Sequence, residues 1–223
     1  MTSTEANLAE ATLDEIRLSL APDVADAAVF DGWSEAAVRQ AAEQRKVDPA
    51  VAVLAYPGGA MDMIAAWIAR IDAEMTAAFP AERIAAMPIR ERIRALVQFR
   101  LDAMAGREEA LRRAQAIMAM PQNAKRTLEL GWSSADRMWR LAGDVATDYN
   151  HYTKRAILGS IYAATLAVFV GDNSEGMAET RAFLGRRIDG VMKFEKAKAK
   201  WLGGDREHFS LARFLGRLRY PAR

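Results

Sequence analysis

Apolar residues recur at every third or fourth position along most of the chain, and the alternation of apolar and polar residues that is typical of β-strands is nearly absent. This periodicity predicts an all-α protein. The first helix is expected to end near Ala28, and Pro22 is expected to kink or divide it. Its apolar face consists of Leu8, Leu13, Ile16, Leu20 and Val24.

Two short helices follow and complete an N-terminal part that we place at residues 1–57. Ser34 is expected to cap the second helix, and the Asp48–Pro49 pair to begin the third. Three helices in this arrangement are typical of a helix-turn-helix unit. Residues 49–56 nevertheless contain none of the arginine, lysine, asparagine or glutamine side chains that read base edges. We therefore expect a helix-turn-helix remnant that binds no nucleic acid, with its third helix packed inward or against another apolar surface.

The helical pattern continues through residues 58–202, where it predicts a larger bundle. A long helix from Met61 to Met87 is expected to break between Pro80 and Pro88, and Pro121 begins another helix. From Ala156 the sequence is apolar almost all round a helix for about 15 residues, which is too short to cross a bilayer. This stretch predicts a central helix that is buried on every side.

Polar residues precede that apolar stretch at spacings of four, four and three: Asp144, Asp148, Tyr152 and Arg155. In a helix these four share one face. The charged members could pair with each other and cap helix ends, or the face could be a docking surface for a partner. The residue types alone leave both interpretations open.

Several motifs in and around this region occur in an order that resembles one known family. The central ones are Ala135–Asp136, Met138–Trp139, Leu141–Asp144, Thr147–Asn150, Tyr152–Arg155 and Leu158, and the flanking ones are Phe30–Trp33, Asp172–Gly176 and Phe183–Met192. The chain resembles the coenzyme Q (ubiquinone) biosynthesis accessory family, the ninth in the coenzyme Q series. The AGD triplet and the YTKR run make the central motif specific.

The resemblance implies a fold like that of TetR-type regulators, without DNA reading as its known role. It implies binding of isoprenoid or quinone-precursor lipids and assistance to the di-iron hydroxylase that acts late in ubiquinone synthesis. The expected hydroxylase docking residues are Asp144, Asp148, Tyr149, Asn150, His151, Tyr152, Lys154 and Arg155. The family usually has tryptophan where this chain has His151, so docking here is expected to rely on a changed partner or on Tyr149 and Tyr152.

An apolar, methionine-rich lining is expected for the lipid pocket, because unbranched thioethers adapt to an acyl or isoprenoid chain. A flexible core would have the same residue pattern. The expected pocket residues are Ile117, Met118, Met138, Trp139, Leu158, Ile161, Tyr162, Leu166, Leu184 and Ile188.

A compact basic amphipathic helix is predicted at residues 205–219, after a hinge at Gly203–Gly204. It can lie in a membrane interface, or its apolar stripe can pack on the protein body or on a second subunit of the expected homodimer. The residues expected to contact a membrane are Phe209, Leu211, Arg213, Phe214, Leu215, Arg217 and Leu218.

The composition narrows the classes of function. The net charge of +2 at a sequence pI near 9.0 does not indicate nucleic-acid binding, and the absence of cysteine excludes a disulfide framework and a thiolate site. His151 and His208 are the only histidines, and nucleotide-binding and nucleophile-elbow motifs are absent. We therefore expect an accessory lipid-binding protein that is not an enzyme and uses no metal or cofactor.

The start of the chain has the pattern of neither a secretory signal nor a mitochondrial presequence, and no apolar run is long enough for a transmembrane helix. We expect a bacterial cytoplasmic location with peripheral association with the inner membrane. The alternative function is a TetR-like transcriptional regulator that uses the same apolar pocket for an effector.

Overall fold

The computed structural model describes residues 11–145 and 149–202 of the chain, and these residues form helices and no strand, which confirms the predicted all-α class. Short 3-10 turns at Pro121–Asn123 and Glu175–Met177 precede two of the helices. The α-helices are α1 Leu13–Asp31, α2 Glu35–Gln44, α3 Pro49–Leu54, α4 Ala60–Ala78, α5 Ala81–Ala85, α6 Ile89–Asp102, α7 Glu108–Met118, α8 Ala124–Leu141, α9 Tyr149–Phe169 and α10 Ala178–Leu202.

Local signals set the helix ends in the first part of the chain. Thr12 and Glu15 form a reciprocal capping box at the start of α1. The predicted caps are confirmed, since the Ser34 side chain accepts from the Ala37 amide and the Asp48 side chain accepts from the Ala50 amide. Each cap satisfies an amide that has no partner within its own helix.

Pro22 does not divide the first helix, so that part of the expectation was wrong. The proline lies inside an uninterrupted α1, where it removes one backbone hydrogen bond. Its neighbours Leu20, Ala21 and Val24 are fully buried. Tertiary packing on both sides of the proline therefore stabilises a helical segment that local preference alone would interrupt.

The first helix is central to the packing of the first part of the chain, where it contacts α2, α3, α4 and α7. The turn after it is fixed by Trp33, whose Nε1 donates to the carbonyl oxygen of Ala110 at 2.9 Å and whose ring centroid lies 5.4 Å from that of Trp67. The N-terminal helices therefore share a core with the helices of the predicted bundle.

The long apolar helix, α9, is not buried on every side, so that prediction was wrong. Ala156, Ser160, Ala163 and Ala167 recur at spacings of four, three and four, and all four are exposed. Alanine and serine are small enough to occupy either environment, so they concealed the helix's two faces in the sequence pattern. The result is an exposed stripe of small residues along α9.

The chain divides into two compact units, Met1–Leu184 and Gly185–Arg223. The predicted boundaries of the helix-turn-helix part (residues 1–57), the bundle (residues 58–202) and the C-terminal amphipathic helix stay predictions. Within the described part of the chain, no helix combines the length and apolarity that crossing a membrane requires.

Leu20→Ala tests whether α1 is central to the core. The leucine side chain is fully buried, so its truncation should lower the free energy of unfolding by about 2–5 kcal/mol. Leu18→Ala, on the same helix but 39% exposed, is the matched control and should change it by less than about 0.5 kcal/mol. Urea denaturation of both variants measures the difference, and equal losses would contradict this role for α1.

Candidate functional site

A cavity of about 530 Å³ lies within the first compact unit, lined by residues of α4, α6, α7, α8 and α9. Its deepest lining is apolar, with buried side chains that include Ile64, Trp67, Ile71, Met104 and Leu111. A volume of this size is typical of a site for a small organic molecule.

The cavity opens to solvent beside α8 and α9, where its lining residues are exposed. Leu128 and Trp132 on α8 are 74% and 38% exposed. On α9 the exposed small residues Ala156, Ser160 and Ala163 belong to the same lining. We call this exposed part of the lining the cavity mouth.

Three of the residues predicted for the lipid pocket line this cavity: Met118, Tyr162 and Leu166. Met138, Leu158 and Leu184 are buried but do not line it, and Ile117 and Ile161 are half-buried outside it. The indole Nε1 of Trp139 donates to the Lys154 carbonyl oxygen at 2.9 Å. Ile188 belongs to the second unit. A lipid-binding role for these residues stays a prediction.

The sequence did not indicate most of the lining, because many of its residues are glycine or alanine and carry no distinctive side chain. Gly131, Gly159 and the α9 alanines contribute by lacking bulk, and a Cβ added at Gly131 would meet no atom within 4 Å. Arg100 was the one available signal. It is a charged residue in the middle of the apolar side of α6, and such a residue needs a buried partner.

Arg100 is 1% exposed and is surrounded by polar partners at the inner wall of the cavity. Its guanidinium Nη1 pairs with the Asp72 carboxylate, Nε donates to the Tyr162 hydroxyl at 3.0 Å, and Nη2 donates to the Ser134 hydroxyl at 3.1 Å. Burial raises the pKa of Asp72 above its usual value, and the charges of Arg100 and Arg137 offset part of that rise.

A second buried arginine, Arg155, lies under the predicted docking surface and is 2% exposed. Its Nε donates to Asp136 at 2.6 Å, and its Nη1 donates to Asp144 and to the His151 carbonyl oxygen, each at 3.0 Å. Lys154 donates to the other oxygen of Asp144 at 2.6 Å. Of the three charged residues on this face, Asp144 and Arg155 thus pair with each other, and Asp148 lies outside the described residues. The contacts join the end of α8 to the start of α9.

Aromatic rings occupy the outside of the same region. Tyr152 is 61% exposed, and its ring centroid lies 5.1 Å from that of His151 and 6.0 Å from that of Trp132. We call these three residues the aromatic cluster. Trp132 belongs both to this cluster and to the cavity mouth, so the predicted docking surface adjoins the opening of the cavity.

Other predicted site residues lie outside the described part of the chain. These are Asp148, the side chains of Tyr149 and Asn150, the Gly203–Gly204 hinge, and the membrane-contact residues from Phe209 to Leu218. Among the residues that the structure describes, no group of three or more histidine, aspartate or glutamate side chains could hold a metal ion.

Comparison with known proteins agrees with the resemblance found in the sequence. Residues 124–195 match the COQ9 family model. "Ubiquinone biosynthesis protein COQ9, mitochondrial" of Rattus norvegicus is 31% identical over 168 residues, which are 72% of this chain and 54% of that protein. The protein of the same name from Homo sapiens is 30% identical over 72% of this chain and 52% of its own length. The chain thus spans about half the length of the curated relatives it matches.

A solved structure shows the same fold. A TetR transcriptional regulator from Nitrosomonas europaea superposes with a TM-score of 0.62 at 20% sequence identity, over 80% of this chain and 97% of that chain. This confirms the expected TetR-like arrangement of helices. At this level of identity the likeness concerns the fold alone.

Asp144→Asn tests the network beneath the aromatic cluster. Burial raises the pKa of Asp144, but hydrogen bonds from Lys154 and Arg155 outweigh burial and hold the pKa below its usual value. A depressed pKa stabilises the fold above the unfolded-state pKa near 3.8, and this stabilisation is lost as the pH falls through the folded-state pKa. Replacement should therefore lower the free energy of unfolding by about 1–3 kcal/mol at neutral pH.

The difference between Asp144→Asn and the unmodified protein should shrink as the pH falls below 4, which urea denaturation across a pH series measures. Asp14→Asn is the control, because Asp14 makes a single exposed ion pair and should show almost no difference at any pH. A difference for Asp144→Asn that persists unchanged at low pH would contradict the assigned charge pairing.

Proposed function

Because this chain belongs to the COQ9 family, we propose that it serves ubiquinone biosynthesis as an accessory protein that binds a polyprenyl ubiquinone precursor. The observation that carries the proposal is the apolar cavity whose mouth adjoins the aromatic cluster. The protein itself performs no chemistry in this proposal. It shields the lipid and brings it to the enzyme that modifies it.

The physical reason for such a protein lies in the solvation of the lipid. Exposure of a polyprenyl tail to water costs about 0.8 kcal/mol for each CH₂ group, so a precursor rarely leaves a membrane unaided. A cavity lined by residues such as Ile64, Ile71, Met104 and Leu111 replaces that membrane environment. The exposed, small-residue mouth supplies a way in and out for a chain that is longer than the cavity.

The proposed partner is the di-iron hydroxylase of ubiquinone synthesis, docked on the aromatic cluster. An exposed tyrosine beside a second aromatic ring is the kind of residue that dominates the free energy of protein association. The network of Arg155, Asp136 and Asp144 beneath it holds the ends of α8 and α9 in one arrangement, which lowers the entropic cost of docking. In this proposal Arg155 supports the surface from below, while Tyr152 contacts the partner.

Peripheral association with the inner membrane through residues 205–219, and a homodimer, remain parts of the proposal that rest on the sequence. An amphipathic helix with arginines opposite phenylalanine and leucine suits an anionic membrane surface. The regulator alternative gains no support from α3, because that helix, PAVAVL, has no base-reading or phosphate-binding side chain.

Lipid extraction from the purified protein, followed by mass spectrometry, tests the cavity proposal. The unmodified protein should retain a polyprenyl ring precursor, and Gly131→Phe should retain severalfold less, because its ring occupies open space at the mouth. Ser133→Phe is the matched control, since Ser133 is exposed on the same helix but does not line the cavity. An unmodified protein without lipid, or equal retention by Gly131→Phe, would count against the proposal.

Tyr152→Lys tests the docking proposal. Loss of an aromatic residue at the centre of an interface should weaken binding of the purified hydroxylase by about 30-fold, as measured by titration calorimetry. Ala167→Lys introduces the same charge at an exposed position of the same helix, away from the aromatic cluster, and should bind normally. Lipid retention by Tyr152→Lys should be unchanged, which separates docking from lipid binding. Normal hydroxylase binding by this variant would overturn the docking surface.

A further inference from the structure

The inner wall of the apolar cavity carries two hydroxyl groups that each accept a hydrogen bond from Arg100. The Tyr162 and Ser134 oxygens both accept hydrogen bonds from Arg100, and both residues are buried and line the cavity. Nε and Nη2 lie on the same edge of the planar guanidinium, so the two hydroxyls stand side by side along that edge. A hydroxyl that accepts in this way has its own proton left to donate.

Neither hydroxyl proton has a protein acceptor within the described part of the chain. By contrast, the other two hydroxyl groups that line the cavity donate to backbone carbonyl oxygens: Ser160 to Ile157 at 2.8 Å and Thr127 to Met118 at 2.7 Å. Buried donors normally have an acceptor, because an unmet one costs about 1–3 kcal/mol. The Tyr162 and Ser134 hydroxyls can therefore donate hydrogen bonds to an acceptor atom of a bound molecule.

The charges around this pair indicate what kind of acceptor fits. The positive charge of Arg100 is already matched by the carboxylate of Asp72, which is 4% exposed. The guanidinium of Arg137 lies 3.7 Å from the same carboxylate but is half-exposed, so water screens its charge. A bound carboxylate or phosphate would bring a second negative charge next to Asp72 in a region from which water is largely excluded. A neutral oxygen, such as a carbonyl or an ether on a ring, brings no such repulsion.

We propose that Tyr162 and Ser134, oriented by Arg100, form a subsite that donates hydrogen bonds to a neutral ring oxygen of an otherwise apolar ligand. This inference rests on the proposed function, since it assumes that the cavity takes a lipid, and it adds which end of the lipid the cavity recognises. The ring lies against the Arg100 edge, and the tail occupies the apolar lining of the cavity. A prenyl hydrocarbon without the ring oxygen would lack these hydrogen bonds.

Two small probes with the same decyl chain test the subsite: a decyl-substituted dimethoxy benzoquinone, which carries ring oxygens, and decylbenzene, which carries none. Trp67 and Trp132 line the cavity, so the bound quinone quenches their fluorescence and decylbenzene restores it by displacement. The variants are Tyr162→Phe and Ser134→Ala. Ser133→Ala is the matched control, because Ser133 is the exposed neighbour of Ser134 on α8 and does not line the cavity.

Each of Tyr162→Phe and Ser134→Ala should weaken quinone binding about fivefold to tenfold and leave decylbenzene binding within about twofold, while Ser133→Ala changes neither. The unchanged binding of decylbenzene shows that a variant still folds around an intact cavity. Equal effects on both probes, or no effect on quinone binding, would overturn the subsite and leave the lipid proposal standing. Failure of both probes to bind the unmodified protein would overturn the proposed function together with the subsite.

Discussion

Two buried guanidinium groups, those of Arg100 and Arg155, hold together the helices that surround the cavity. A buried charge is costly unless oppositely charged and hydrogen-bonding partners surround it, so Arg100 and Arg155 each require helices to meet at a fixed place. Arg100 on α6 joins Asp72 on α4, Ser134 on α8 and Tyr162 on α9. Arg155 on α9 joins Asp136 on α8 and Asp144 just beyond it. With these contacts made, the apolar side chains between the helices do not have to close the space.

This arrangement explains how an all-helical bundle keeps an apolar cavity open. Hydrophobic packing alone favours a filled core, because atoms that line an empty space lose van der Waals attraction. Here the helices that surround the cavity are held in position partly by polar contacts at its inner wall and at the end of α8. The polar contacts therefore keep the helices in place where the lining consists of small residues such as Gly131, Gly159 and Ala163.

The sequence predicted the parts of the structure that depend on neighbouring residues. The caps at Ser34 and Asp48, the break at Pro80 and the all-helical class are local, and the structure confirms them. Properties that depend on distant residues were harder to predict. The burial of Arg100 depends on partners 28, 34 and 62 positions away, and no periodicity within α6 indicates them. The two faces of α9 were hidden because alanine, serine and glycine have no strong preference between core and surface.

The exposed stripe of small residues on α9 has a consequence for how such a protein can vary among species. Each position from Ala156 to Ala167 along the stripe carries little more than a methyl or hydroxymethyl group, so one mutation that adds or removes carbon atoms there would widen or narrow the gap beside α8 without disturbing the hydrophobic core. A single substitution there therefore changes the aperture, while the stability of the whole fold stays nearly constant.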